Sequence, residues 1–341
     1  MKLTMIGIDL AKNVFQVHGA DDRGKAVLRK QLKRAQMISF FAKLAPCRIG
    51  MEACGSAHYW ARKLQELGHE VRLIPPQYVK PFVKRNKNDV ADAEAICEAL
   101  GRPQMRFVPV KNAEQQAILS IHRARQGLVK ARTAQANQIR GLLGEFGITL
   151  AQGITHVTKR VPLLLADASQ DLPGHFRTLI ERLLGHLGEL DREVGELEQQ
   201  IQLWHRDNPA SKKLAKIPGI GPMTASAMAA SIGDATSFKN GRQLAAWLGL
   251  VPRQHSSGGK AALRGISKRG DTYLRTLLVH GARAVIRSAE RKPDTEPWLK
   301  GLLARRHKNI AAVALANKNA RTIWALLAQD REYQPHFGAS A

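Results

Sequence analysis

Hydrophobic and polar positions divide the chain into three stretches. Up to about residue 110, apolar residues come in short Ile-, Val- and Leu-rich runs bounded by turn-forming residues, which is the pattern of strands. The runs predict strands over 3–10, 14–19 and 25–30, with an Asp-Asp-Arg-Gly turn at 21–24 before the third. Helical spacing at 35–44 is followed by a strand at 47–52, a helix at 57–67 closed by Gly68, and a strand at 70–74. From 113 to 150 the chain turns Ala-, Gln- and Arg-rich with helical spacing, and Pro162 and Pro173 punctuate the residues beyond it. Next, Phe176, Ile180, Leu183, Leu187, Leu190, Val194, Leu197, Ile201 and Trp204 recur at alternating intervals of four and three. Such a heptad seam predicts a coiled-coil or bundle contact with a like helix; a helix lying on its own domain is the alternative. Residues 212–330 read as helical and basic.

Three antiparallel strands followed by alternating helix and strand is the order expected of an RNase H-like, RuvC-like α/β domain. The organisation expected is therefore an α/β domain at 1–110, a helical or coiled-coil connector at 111–211, and a mainly α C-terminal domain at 212–341. A chain of 341 residues with 44% apolar side chains has material for real cores, and 5% aromatics makes those cores chiefly aliphatic. Disorder is not expected to dominate.

Charge narrows the function. Lys and Arg number 53 against 28 Asp and Glu, a formal net charge of +25. That excess repels itself unless a polyanion neutralises it, and nucleic acid is the natural polyanion. Between Arg253 and Lys308, fourteen Lys or Arg face four acids, which reads as a phosphate-contacting surface. Cys47, Cys54 and Cys97 form no CxxC pair, so neither a disulfide framework nor a zinc site is expected, and the compartment should be reducing. Asp9 interrupts the first apolar run and no later run approaches a membrane span, so a cytoplasmic protein with no membrane partner is expected.

Four acids stand where chemistry could use them. Asp9 ends the strand IGID, Glu52 ends the strand RIGME, and Asp89 and Asp92 share a helix face in NDVADAEAI. If these carboxylates converged at one sheet edge they would repel each other unless cations lay between them. Hard oxygen ligands select Mg²⁺ or Mn²⁺, and such ions stabilise the attacking and leaving oxygens of phosphoryl transfer. Farther on, KIPGIGPMTASAMAA resembles a helix-hairpin-helix, whose Gly219 and Gly221 would let backbone N–H groups face a DNA phosphate. Ser256 and Ser257 sit in a glycine-containing loop with Arg253, His255 and Lys260, and with Arg264, Lys268 and Arg269 close behind. An electropositive loop would hold a phosphate, and an activated serine could attack it.

The segments GIDLAKNVFQVHG, MEACGSAHYWA, KNDVADAEAI, PGIGPMTA and LAAWLGLVPRQHSSGGK, with GISKRGD beyond, occur together and in this order. In this the chain resembles the insertion sequence 110 family of transposases, particularly its 1111 subgroup, and is related to Piv-type DNA invertases. The resemblance covers nearly the whole chain. It implies a RuvC-like domain whose DEDD tetrad maps onto Asp9, Glu52, Asp89 and Asp92, binding Mg²⁺ or Mn²⁺. It further implies a C-terminal transposase domain whose serine becomes linked to DNA, with Ser256 the first choice and Ser257 the second. The family's partners are DNA at element ends and targets, a structured non-coding bridge RNA that guides site choice, and further copies of the chain in homodimers or homotetramers with composite sites. Two other readings fit the residues: a RuvC-type nuclease that activates water, and a nucleic-acid-binding protein without catalysis.

Overall fold

The computed structural model describes residues 3–83, 88–256, 262–291 and 296–335. The chain forms two compact units, one made of 1–116 with 232–237, the other of 117–231 with 238–341.

The first unit is built on a five-stranded sheet. Its strands are β1 (Met5–Leu10), β2 (Val14–Ala20), β3 (Ala26–Lys33), β4 (Arg48–Glu52) and β5 (Glu70–Ile74), in the spatial order β3-β2-β1-β4-β5. β2 runs antiparallel to both β1 and β3, whereas β4 is parallel to β1 and to β5. This is the RNase H-like order anticipated from the sequence. The third strand runs three residues farther than the apolar pattern indicates, because Gln31, Leu32 and Lys33 pair with Gln16, Phe15 and Val14. α1 (Met37–Phe41) and α2 (Ala57–Glu66) cover one face, where Ile6, Ile8, Phe15, Ile49, Met51 and Leu64 form a core. A short α3 (Pro76–Val79) leads towards α4 (Asp89–Leu100), which covers the opposite face.

Two glycines let α4 lie close to the sheet. A Cβ at Gly7 would stand 2.3 Å from the Ala93 carbonyl oxygen, and one at Gly50 would stand 3.2 Å from Leu100 Cβ. Side chains alternate along a strand, so Gly7 and Asp9 share the α4 face, as do Gly50 and Glu52. Close packing and the placement of acids are thus one design.

Among its described residues, the second unit is helical apart from one hairpin. α5 (Ala113–Gly144), which starts in the first unit, and α7 (Gly174–Asp207) flank α6 (Ile154–Ala166) in sequence. Arg125 pairs with Glu198, Arg132 with Asp191, and Phe146 stacks on Phe176, so α5 and α7 run antiparallel. The heptad residues Phe176, Ile180 and Leu187 pack with Ile139 and Leu143 of α5 and with Val157 and Val161 of α6. The seam is therefore a bundle contact made inside the chain. Among the described residues, the N-terminal half of the stripe is filled by α5 and α6 of the same chain.

α8 (Pro209–Ala215) and α9 (Pro222–Ile232) are joined by a tight turn. Beyond α10 (Gly241–Trp247) come β6 (Pro252–Gln254) and β7 (Leu263–Ile266), then α11 (Thr272–Ala289), α12 (Pro297–Arg305) and α13 (Lys308–Ala328). α5, α9 and α11 meet at His122, which is 1% exposed. Its Nδ1 lies 2.9 Å from the Tyr273 hydroxyl and its Nε2 lies 3.1 Å from Ser226 Oγ.

Burial, with a smaller contribution from Arg125, lowers the His122 pKa from 6.5 to about 4. The unfolded imidazole takes its proton near 6.5 and the folded one only near 4, so stability is fully present above pH 6.5 and falls as the pH drops through that window. The loss should approach the order of 3 kcal/mol. Thermal melting against pH should show it, with a slope that disappears in His122→Asn; an unchanged slope in that variant would assign the titration elsewhere.

Candidate active site

β1 and β4 run parallel, with Ile8 opposite Met51, so Asp9 and Glu52 follow side by side at the carboxyl ends of adjacent strands. α4 begins above that edge. Its N-cap is Asn88, whose side-chain oxygen accepts from the Ala91 N–H at 2.7 Å. The cap places Asp89 and Asp92 in the first turn, where the positive end of the helix dipole favours carboxylates.

Asp9, Asp89 and Asp92 come together: each offers a carboxylate oxygen, and these atoms lie within 4.8 Å of one another. Asp9 and Asp92 are half-buried and Asp89 is exposed. Glu52, also half-buried, stands beside this trio without belonging to the tightest group. Cys54 reports on both strand-end acids, because its thiol is held above its usual range by desolvation first, then by Glu52 and Asp9. Three acid oxygens so close, with a fourth acid adjacent, form a hard oxygen donor set that could hold a divalent metal ion.

In the second unit, β6 and β7 form an antiparallel hairpin with Ser256 near its tip. The exposed Ser256 Oγ accepts from Gln254 Nε2 at 3.1 Å and from the Ala262 N–H at 3.3 Å. Arg253, His255, Arg264, Lys268 and Arg269 are exposed along the hairpin and its base. Ser257 and Lys260 lie outside the described residues.

The base of the hairpin is closely packed for reasons the sequence pattern did not reveal. A Cβ at Gly249 would meet the Arg269 carbonyl oxygen at 2.0 Å, and one at Gly270 would meet that of Trp247 at 1.9 Å. Arg275, 9% exposed, donates to the carbonyls of Leu248 and Arg269 and to Thr272 Oγ1. It therefore leaves the basic surface to which its place in the cationic run had assigned it. The signal was available in part, since Asp271 caps α11 and Arg275 lies one turn beyond it.

Gly219 has φ +84°, and a Cβ there would stand 2.8 Å from the Gly281 carbonyl oxygen, so this glycine lets the α8–α9 turn pack on α11. Gly221 has open space around it. No helix among the described residues is long and apolar enough to cross a membrane.

An RNase H-like sheet with acids gathered at its carboxyl edge fits a class, the metal-dependent enzymes that cut or transfer phosphodiester bonds in nucleic acid. Comparison with known proteins narrows the class. Residues 6–148 match the DEDD transposase model of insertion sequence IS110, and residues 211–296 match the transposase IS116/IS110/IS902 family. A probable family 20 transposase of Pseudomonas aeruginosa is 57% identical over 98% of this chain and 100% of its own length. The transposase for insertion sequence element IS1111A of Coxiella burnetii is 46% identical over 97% of this chain and 92% of its own. More distant is the pilin gene-inverting protein of Moraxella bovis, 25% identical over 98% of each chain. The chain belongs to the IS110 family of transposases, in its IS1111 branch, and is an enzyme of DNA cleavage and strand transfer.

Proposed function

We propose that the chain excises and inserts a mobile DNA element by metal-assisted attack of a serine on DNA, with its sites chosen by a bridge RNA. The observation that carries this reading is the gathering of Asp9, Asp89 and Asp92 within 4.8 Å beside Glu52, in a transposase of charge +25. These four acids would hold Mg²⁺ or Mn²⁺, which when bound supplies Lewis-acid stabilisation of the phosphate and of its entering and leaving oxygens.

The protein's own groups do the rest. Ser256 Oγ attacks phosphorus, the new Oγ–P bond replaces a bond from phosphorus to a deoxyribose oxygen, and that oxygen leaves with a proton as a free hydroxyl. The serine proton passes to a nearby base. Two donors already on Oγ, from Gln254 and Ala262, favour its deprotonated form. A hydroxyl from another DNA end reverses the step, restoring a phosphodiester and freeing Ser256 without ATP. Arg253, His255, Lys260, Arg264, Lys268 and Arg269, with Ser257, would hold the DNA backbone at the hairpin, and the turn at Gly219 and Gly221 would add a helix-hairpin-helix grip without sequence preference. In the same reading the chain divides into a RuvC-like domain at 1–110, a connector at 111–211 and a transposase domain at 212–341, and it works as a dimer or tetramer.

Trapping tests the nucleophile. Wild type incubated with labelled element-end DNA, its copurifying RNA and Mg²⁺ or Mn²⁺ should give a protein–DNA adduct that survives denaturing electrophoresis. Ser256→Ala should lose the adduct by at least about a hundredfold, given what removal of a nucleophile costs. An adduct that survives Ser256→Ala but vanishes in Ser257→Ala moves the role by one residue. Cleavage with no adduct in wild type would replace serine with water.

A further inference from the structure

The face of the sheet that carries Asp9 continues sideways, away from α4. Asp9 pairs with Gln16 and Gln16 with Gln31; one row earlier, Gly7 pairs with His18 and His18 with Arg29. Alternation along the strands puts Gln16, Arg29, Gln31 and Lys33 on the face of Asp9, and Phe15, Lys30 and Leu32 on the other. Gln31 is two strands, roughly 10 Å, from Asp9.

α4 covers only the inner part of this face. Val90 and Ala93 of α4 form one wall of a cleft of about 210 Å³, and Gln16, Arg29 and Gln31 help line the rest. Beyond it, Arg29, Gln31 and Lys33 on the edge strand are exposed. Among the described residues, neither Arg29 nor Lys33 is paired with a carboxylate. Cations on an edge strand commonly guard against strand-to-strand aggregation, and Lys30 suffices for that on the other face, where its ammonium lies over the Phe40 ring. That explanation does not account for two further cations and two amides aligned with the acids.

We propose that this strip, Gln16, Arg29, Gln31 and Lys33, is a DNA-binding track that lays the strand to be cut across the acidic cluster. The proposal rests on the catalytic reading of Asp9, Asp89 and Asp92. Arg29 and Lys33 lie four residues apart on one strand, roughly 13 Å, so they reach different phosphates of one backbone. The amides of Gln16 and Gln31 supply hydrogen bonds to sugar or phosphate oxygens between the cations and the acids. Contacts of this kind to the sugar–phosphate backbone position DNA without selecting sequence.

The test uses the full-length chain with two probes, a labelled duplex carrying an element end and a scrambled duplex of equal length. Arg29→Ala combined with Lys33→Ala should weaken binding of both duplexes alike, by about tenfold, and lower the slope of log affinity against log salt by about two. Arg29→Lys should restore most of the first contact. Both positions are exposed, so the melting temperature should not move. The DNA concentration for half-maximal cleavage should rise, while the metal concentration for half-maximal cleavage stays at the wild-type value. Wild-type affinity and salt slope in the double variant would overturn the proposal. So would a loss confined to copurifying RNA with DNA binding intact, which would make the strip an RNA contact. Asp9→Asn, measured in parallel, separates the two ideas: strand transfer by that variant defeats the catalytic reading whatever the salt slope reports.

Discussion

Asp9→Asn should abolish strand transfer, by at least about a hundredfold in rate, while leaving DNA affinity at or slightly above that of the wild type. The substitution keeps the side-chain volume and removes one charge. Loss of an oxygen ligand from a metal site is expected to cost more than the 10- to 100-fold typical of residues that merely orient ligands. DNA attraction should not suffer, because removing a carboxylate from a chain of charge +25 makes it more cationic. Stability gives a second readout. Three carboxylate oxygens within 4.8 Å repel one another when no cation lies between them, so in chelator the variant should melt no lower than wild type. Wild type should gain melting temperature on addition of Mg²⁺ or Mn²⁺, as any ligand that binds only the folded state confers, and Asp9→Asn should gain much less. Strand transfer at the wild-type rate would remove Asp9 from the chemistry.

Gly7→Val should damage the same site without touching a ligand. A Cβ at position 7 would stand 2.3 Å from the Ala93 carbonyl oxygen, 2.5 Å from the Cys97 nitrogen and 2.9 Å from Cys97 Cα. All three are backbone atoms of α4, so no side chain can swing away; the helix itself must retreat. Overpacking of this kind costs about 3 kcal/mol. Since α4 carries Asp89 and Asp92, its retreat also pulls two carboxylates from Asp9, and the metal-dependent rise in melting temperature should shrink along with the intrinsic stability. Gly127→Ala is the control, because that glycine lies within α5 with open space around it. There the helix should gain roughly 0.5–1 kcal/mol. Equal melting temperatures for Gly7→Val and wild type would show that α4 has room to spare.

Much of the first unit was legible because a half-buried sheet imposes a period of two and turns impose Gly, Asp and Asn. β1, β2, β4 and β5 stand close to where the apolar runs place them. The end of β3 was not legible: Gln31 and Lys33 are polar and exposed, and only their pairing with β2 makes them strand. Those unread residues are the ones that extend the acidic site. The four acids could be singled out by their positions at strand ends and on one helix face. That three of them meet within 4.8 Å depended on Gly7 and Gly50, whose lack of a side chain carries meaning only once a helix lies on top of them. In the second unit the heptad predicted a packed seam and could not name the partner, since an apolar stripe is satisfied equally by a neighbouring copy or by its own chain. Arg275 shows the converse limit. A buried arginine serving three oxygens looks, in sequence, like any other cation in a basic run.

By itself, then, the sequence determined the strand periodicity, the helical stretches, the polyanion-seeking charge and the residue types available for metal and phosphate chemistry, because each is a local or additive property of the chain. Only the tertiary structure decided which acids share a site, which cations stay in solvent and which helix fills the heptad seam. These depend on how closely distant backbones approach, and at Gly7, Gly249 and Gly270 that approach is set by atoms the residue does not have.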